Sequence, residues 1–373
     1  MKKGERRNPI GCFFSFMRIF SCCYGRTRGT IGRSRIPVAN HDTNDHDHRR
    51  VSKEQMPQAG AGHMHLFSEM KRYSWEEIES MTRNFRKVIG VGGFSHVYLA
   101  RLPNCNVMAA VKVYIGSERL NNVFRTELDI SRIVDHPYIV KLIGYCDERE
   151  EGVLVFEMIS NGTLHRRLRG RGLKDPTLPW KSRMAIAFQL AQALEYLHEN
   201  CSLQIVHGDV KSSNILLDSQ LNCKLCDLGS AKMGFASTMT KLTNLMGSPG
   251  YIDPHFLMTG IASVKNDIYS FGIILLELIT GLEAFSTKEQ KMLASIARRE
   301  NNLDVEMVVA MADRRIIKEI DMEEAAFMAS LAAVCVHSLP SFRPSAADVC
   351  RLLREKITSI SIPSSLDKKP LVS

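Results

Sequence analysis

The apolar period of this chain is mainly strand-like in its first part and mainly helical later. Val88 to Gly90 and His96 to Ala100 flank a glycine turn, and Val107 to Val113 alternates as a half-buried strand does. A helix is expected over Asn121 to Val134, with further strands at Ile139 to Tyr145 and Gly152 to Met158. Beyond Thr163 the pattern turns mainly helical, most clearly in Trp180 to Asn200 and Val264 to Thr280. This order predicts an α+β architecture of two lobes, a small sheet-rich one followed by a larger helical one. A cleft between two such lobes is a common place for a ligand.

Three zones follow from the same patterning. Residues 1 to about 72 have little periodicity and read as a flexible arm. Residues 73 to 357 carry the apolar pattern, with an amino-terminal lobe ending near 158 and a carboxy-terminal lobe from 159. Residues 358–373 read as a short disordered tail. No apolar run reaches the roughly 18 residues of a membrane span, and Phe271 to Leu276 stops at Glu277, as a buried core helix would. Arg18 interrupts the apolar stretch after the basic start, so a cleavable export signal is not expected. Ten Cys without a regular framework fit reduced thiols in the cytosol.

The net charge of +9 is concentrated at one end. Residues 1–35 hold nine Lys and Arg against Glu5, nine minus one, or +8. That leaves about +1 for the rest, so the charge marks a surface-seeking tail and not a nucleic-acid-binding body.

Two stretches carry chemistry. Gly90-Val91-Gly92-Gly93-Phe94-Ser95-His96-Val97 is a glycine-rich turn between strands, where backbone N–H groups can approach phosphate oxygens unobstructed. A strand follows it, which excludes a dinucleotide-binding βαβ unit, and no Gly-Lys-Ser/Thr follows, which excludes a Walker loop. Lys112 ends the run Ala109-Ala110-Val111 on the next strand, and Glu127 lies 15 residues on as its natural acidic partner. Farther along the chain comes Ile205-Val206-His207-Gly208-Asp209-Val210-Lys211-Ser212-Ser213-Asn214, then Lys224-Leu225-Cys226-Asp227. Asp209 can take a proton from a hydroxyl and Lys211 can meet a transferred phosphate, while Asn214 and Asp227 are oxygen ligands suited to Mg²⁺.

With these motifs in order, the chain resembles the eukaryotic protein kinases, and more narrowly the plant receptor-like cytoplasmic kinases. Tyr73-Ser74-Trp75-Glu76-Glu77-Ile78 resembles their lead-in segment. Gly247-Ser248-Pro249-Gly250-Tyr251-Ile252-Asp253-Pro254 resembles the end of their activation loop, and Asn266-Asp267-Ile268-Tyr269-Ser270-Phe271-Gly272 their central helix. The resemblance implies a two-lobed kinase fold and phosphoryl transfer from ATP with Mg²⁺, or Mn²⁺ in its place, to protein serine or threonine. It implies a Lys112–Glu127 ion pair, Asp209 as catalytic base, and Asn214 and Asp227 as metal ligands. It also implies Phe156, Glu157 and Ile159 at the adenine hinge, with Val97, Ala110 and Leu216 around the ring. Lys211 and Ser248 stand as in serine/threonine kinases.

Departures from the pattern bear on control. Gly208 replaces the Arg that usually pairs with a phosphorylated loop, the "non-RD" pattern, so phosphorylation of Thr238, Thr240 or Thr243 is not expected to act through that contact. Ser95 replaces a loop glycine and Leu228 a Phe. Ser131 stands where an apolar residue is expected. His255 replaces the Glu expected to pair with Arg343, and breaking such a buried pair costs about 3–5 kcal/mol. The changes at His255 and Ser131 keep open a second reading, a catalytically weak or inactive adaptor for a receptor kinase.

The arm has its own signal. Aromatic residues with interleaved Arg from Ile10 to Tyr24 suit a membrane headgroup boundary, and Cys12, Cys22 and Cys23 are candidates for S-acylation. Myristoylation is excluded by Lys2 after Met1. The expected place is the cytoplasmic face of the plasma membrane, with a receptor kinase as partner. His41 to His48 reads as a solvated linker, and Cys223 and Cys226 as buried thiols, not a zinc site.

Overall fold

Trp75, Ile78 and Met81 recur at helical spacing behind Ser74, and they pack a short helix onto one face of a sheet. In this computed structural model the described residues are 70–103, 107–115, 118–170, 177–234, 247–299 and 302–357, all within one compact unit. The arm with Cys12, Cys22 and Cys23, the linker histidines, Thr238, Thr240, Thr243 and the tail lie outside them.

The amino-terminal lobe holds β1 (Lys71–Arg72), α1 (Trp75–Thr82), β2 (Val88–Val91), β3 (Ser95–Arg101), β4 (Met108–Tyr114), α2 (Glu118–Ile133), β5 (Leu142–Cys146) and β6 (Val153–Glu157). The strands form one sheet in the order β1-β5-β6-β4-β3-β2, antiparallel except where β1 runs parallel to β5. Lys71 and Arg72 pair with Gly144 and Tyr145, so the sheet claims the last residues expected to belong to the arm.

Alternation along β4 divides the lobe's core. Ala109 and Val111 face the cluster under α1, with Val153 and Val155 beside them. Tyr114 faces the other way, into a cluster with Phe124 and Leu128 of α2 and Leu142 and Leu154 of the sheet. Helix α1 is capped by a reciprocal pair in which Ser74 Oγ accepts from Glu77 N and Glu77 Oε2 accepts from Ser74 N.

The second lobe is mainly helical: α3 (Leu164–Arg169), α4 (Trp180–Glu195), α5 (Pro254–Thr259), α6 (Val264–Thr280), α7 (Met322–Cys335) and α8 (Ala346–Lys356) are its labelled helices. Helix α6 is apolar on every side and buried from Asp267 to Thr280, Phe271 to Leu276 included. A Cβ at Gly272 would come within 2.7 Å of Cys335 Cβ, so glycine there permits the close approach of α7. The expected single helix over 180–200 is interrupted, because α4 ends at Glu195 and Tyr196–Asn200 forms a wider π-turn.

Four short strands frame the loops that matter most: β7 (Ile205–Val206), β8 (Ile215–Leu217), β9 (Cys223–Leu225) and β10 (Lys232–Met233). Strand β10 pairs with β7 and β8 with β9. The loop from His207 to Asn214 is thereby held at both ends. Among the described residues no helix is long and apolar enough to cross a membrane.

Candidate active site

Lys112 sits mid-sheet, paired across the register with Val97 on β3 and Leu154 on β6, which fixes its height in the cleft. Its Nζ donates to Glu127 Oε2 of α2 at 2.6 Å and to Asp227 Oδ1 after β9 at 2.8 Å. Burial opposes the Lys112 charge, but Glu127 and Asp227 overcome it and hold its pKa well above the usual range. Burial likewise opposes the Asp227 carboxylate, and Lys112 more than offsets this, lowering its pKa. Asp227 adopts φ +70°, a left-handed backbone that a non-glycine residue keeps only where its surroundings enforce it.

Tyr114 was not anticipated. Two residues beyond Lys112 on the same strand face, its hydroxyl donates to Glu127 Oε2, the oxygen that also accepts from Lys112. Burial, then the neighbouring Glu127 charge, pushes the phenol pKa far up, so the proton stays on Tyr114. The two-residue period of β4 was the available signal, since it sets positions 112 and 114 on one face.

The second cluster lies on the loop after β7. Asp209 Oδ2 accepts from Lys211 Nζ at 2.6 Å and from Asn214 Nδ2 at 3.1 Å. Asp209 Oδ1 accepts from Ser248 Oγ at 3.0 Å, and Lys211 also donates to Ser248 Oγ at 2.9 Å. Asn214 donates through its nitrogen, which leaves its carbonyl oxygen as a ligand for a cation. Beneath the loop, buried Asp267 of α6 accepts from the backbone N–H of His207 at 2.8 Å and of Gly208 at 2.9 Å. His207 Nδ1 accepts from Asp209 N at 3.2 Å, another anchor that the motif reading passed over.

Five of these residues line one cleft of about 780 Å³, within the roughly 300–1,000 Å³ usual for small-molecule sites. Its roof is the turn of Gly90, Val91, Gly92 and Gly93, closed by Gly92 N donating to Ser95 O at 2.8 Å. Val97, Ala110 and Leu216 line it, as do Phe156, Glu157 and Ile159 on the hinge side. Lys112, Glu127, Lys211, Asn214 and Asp227 complete it, while Asp209 and Ser248 border an adjoining cavity of about 200 Å³. The donor set fits a divalent cation held by two protein oxygens and by phosphate oxygens of the substrate. A carboxylate beside a hydroxyl acceptor, a lysine two residues on, and a lysine-anchored phosphate cradle can move a proton and transfer a phosphoryl group.

Of the departures, His255 has the clearest outcome. Arg343 is not left unpaired: Asp253, two residues before His255, receives its Nη1 at 2.5 Å and Nη2 at 2.8 Å, with both side chains fully buried. The expected loss at His255 is corrected by this substitution of partner. Ser131 is buried and lines the cleft beside Glu127, and Leu228 is buried as an apolar plug. Cys223 and Cys226 have thiol pKa values raised by burial, and among the described residues no metal-binding cluster of His, Cys, Asp and Glu occurs.

Comparison with known proteins agrees with this geometry. The family model described as "Protein kinase domain" matches residues 83–352. A salt tolerance receptor-like cytoplasmic kinase of Oryza sativa subsp. japonica is 47% identical over 308 residues, covering 80% of this chain and 84% of that protein. A probable receptor-like protein kinase of Arabidopsis thaliana is 46% identical over 306 residues, covering 77% and 89%.

Proposed function

Because this chain belongs to the protein kinase family, we propose that it transfers the γ-phosphate of ATP to serine or threonine hydroxyls of a protein in receptor-linked plant signalling. One observation carries this reading. The Lys112–Glu127–Asp227 cluster and Lys211–Asn214 border a single cleft under a glycine roof, with Asp209 joined to both Lys211 and Asn214.

In this reading the backbone N–H groups of Gly90 to Gly93 and the Lys112 ammonium hold the phosphates of ATP, and Glu127 fixes Lys112. Phe156, Glu157 and Ile159 receive the adenine. Asn214 and Asp227 hold Mg²⁺, which offsets phosphate charge when bound. Asp209 orients the acceptor hydroxyl and takes its proton as its oxygen bonds to the γ-phosphorus and the bond from that phosphorus to the β,γ-bridging oxygen breaks, releasing ADP. Lys211 stabilises charge on the transferred group, and Ser248 keeps Asp209 and Lys211 in register.

Phosphate incorporation into a protein substrate by the full-length chain tests this, with Asp209→Asn and Lys112→Ala as controls. Loss of at least about a hundredfold in either variant is expected, as for removal of one catalytic group. Equal incorporation by the wild type and Asp209→Asn would sink the reading. The adaptor alternative drew on His255 and Ser131, and the Asp253–Arg343 pair removes the first of these reasons.

The arm extends the proposal. Its +8 charge, aromatic run and Cys12, Cys22 and Cys23 support S-acylation and attachment to the cytoplasmic face of the plasma membrane, near a receptor kinase. Fluorescent fusions with Cys22 and Cys23 changed to Ser should leave the membrane, and unchanged location rejects acylation there.

A further inference from the structure

Every carboxylate lining the nucleotide cleft is already matched by a lysine. Glu127 and Asp227 share Lys112, at 2.6 and 2.8 Å, and Glu157 Oε1 accepts from Lys224 Nζ at 2.8 Å. Lys211, in the same cleft, is held by Asp209. Two cations are left over, Arg166 and Arg167 of α3, and both line this cleft. Among the described residues neither guanidinium has a hydrogen-bond or ion-pair partner, and Arg167 Nε is buried without an acceptor. A buried, unmatched donor is costly, and it marks a position that an incoming acceptor would satisfy.

These arginines do not hang on a loose segment. Thr163 caps α3, its Oγ1 accepting from Arg166 N at 3.2 Å, and Thr163 is bridged to Leu216 on β8. Leu217 N donates to Gly162 O and Asn161 N to Leu217 O, both at 2.9 Å. Strand β8 begins immediately after Asn214, so Arg166 and Arg167 are fixed relative to the Asp209–Asn214 loop. Three further polar residues of the lining, Asn161, Thr163 and Ser213, carry no charge. In the kinase reading the phosphates of ATP rest on Lys112 and on the cation that Asn214 and Asp227 would hold, which leaves the arginines for the protein substrate.

We propose that Arg166 and Arg167 form a subsite for an anionic group near the acceptor hydroxyl, so that serines and threonines with acidic flanks are the preferred substrates. The group is a carboxylate, or a phosphoryl group already carried by the substrate, since a guanidinium recognises both through paired N–H donors. This rests on the kinase reading above.

The test uses the full-length protein and peptides that differ only in the residues flanking one Ser: Asp, phosphoserine, Gln or Lys. The Asp and phosphoserine peptides should exceed the Lys peptide by about tenfold in kcat/KM, mainly through KM, as two charge-assisted contacts at a partly exposed site allow. The preference should shrink at high salt. Arg166→Glu with Arg167→Glu should remove or reverse it while leaving the KM for ATP within about twofold, because phosphate binding rests on other residues. A phosphoserine peptide that outruns the Asp peptide identifies prior phosphorylation as the source, and parity identifies carboxylates. Equal rates for Asp and Lys peptides overturn the subsite, as does a variant that loses ATP affinity and keeps the peptide ranking. If no peptide is labelled, the phosphotransfer reading fails. Fluorescence anisotropy of the same peptides still decides the subsite, which is overturned if Asp and Lys peptides bind alike.

Discussion

Arg343 and Asp253 form a bidentate ion pair with no solvent exposure on either side chain, joining the segment before α5 to the turn before α8. Arg343 also donates to the carbonyls of His337 and Lys265, and Asp253 also accepts from Asn266 and caps α5 through His255 N. A buried charge with so many satisfied contacts is expensive to break from one side.

Asp253→Ala is therefore expected to lower stability by about 3–5 kcal/mol, because it leaves the Arg343 guanidinium buried and unpaired. His255→Glu should give no comparable gain, since Arg343 already has its carboxylate. Thermal unfolding of both variants checks the pair. A silent Asp253→Ala would mean that the ion pair does not support the fold.

Tyr114→Phe keeps the ring against Phe124, at a centroid distance of 5.6 Å, and removes only the hydroxyl that donates to Glu127. The expected result is a fall in kcat/KM for ATP of about tenfold, the low end of what a hydrogen bond to a charged group contributes. The melting temperature should shift little. Steady-state kinetics beside thermal unfolding separate positioning of Glu127 from a general loss of structure.

Gly208 has φ +78°, and a Cβ there would lie 2.9 Å from Ser230 O. Gly208→Arg, which restores the residue common in the family, should cost about 1–2 kcal/mol from the left-handed backbone alone. It should lower the melting temperature without making activity depend on loop phosphorylation. Activity of the variant before and after phosphatase treatment decides this.

His136 is held neutral by burial, and then by Lys224, with its pKa lowered to about 4, and it stacks on Tyr196 at 4.9 Å. The unfolded chain binds that proton near pH 6.5, so the unfolded state gains protons first as the pH falls. Stability from this site is complete above about 6.5, declines as the pH drops, and stops declining below about 4. His136→Phe should keep the stacking and flatten that part of the melting-temperature profile, measured from pH 7.5 to 4.

Much of the grouping in the candidate site was legible because its spacing is local. Asp209, Lys211 and Asn214 lie within one loop, and the strand period fixed which side of β4 carries Lys112. The strands and long helices also fell near their expected limits, since apolar periodicity reports burial directly. The break at Glu195 was not legible, because Tyr196 and Leu197 carry the apolar pattern past it.

The order of motifs along the chain, read as sequence alone, determined the family, the two-lobed fold and the residues that border the nucleotide cleft. Only the tertiary structure decided which distant partners complete them. Asp253 replaces the expected Glu for an arginine 90 residues away, Tyr114 adds its hydroxyl to the Lys112–Glu127 pair, and Arg166 and Arg167 of α3 are left without a carboxylate among the described residues. The physical reason is that periodicity encodes which face of an element is buried. Charge pairing depends on which elements meet once the chain has folded, and on what each buried group finds there.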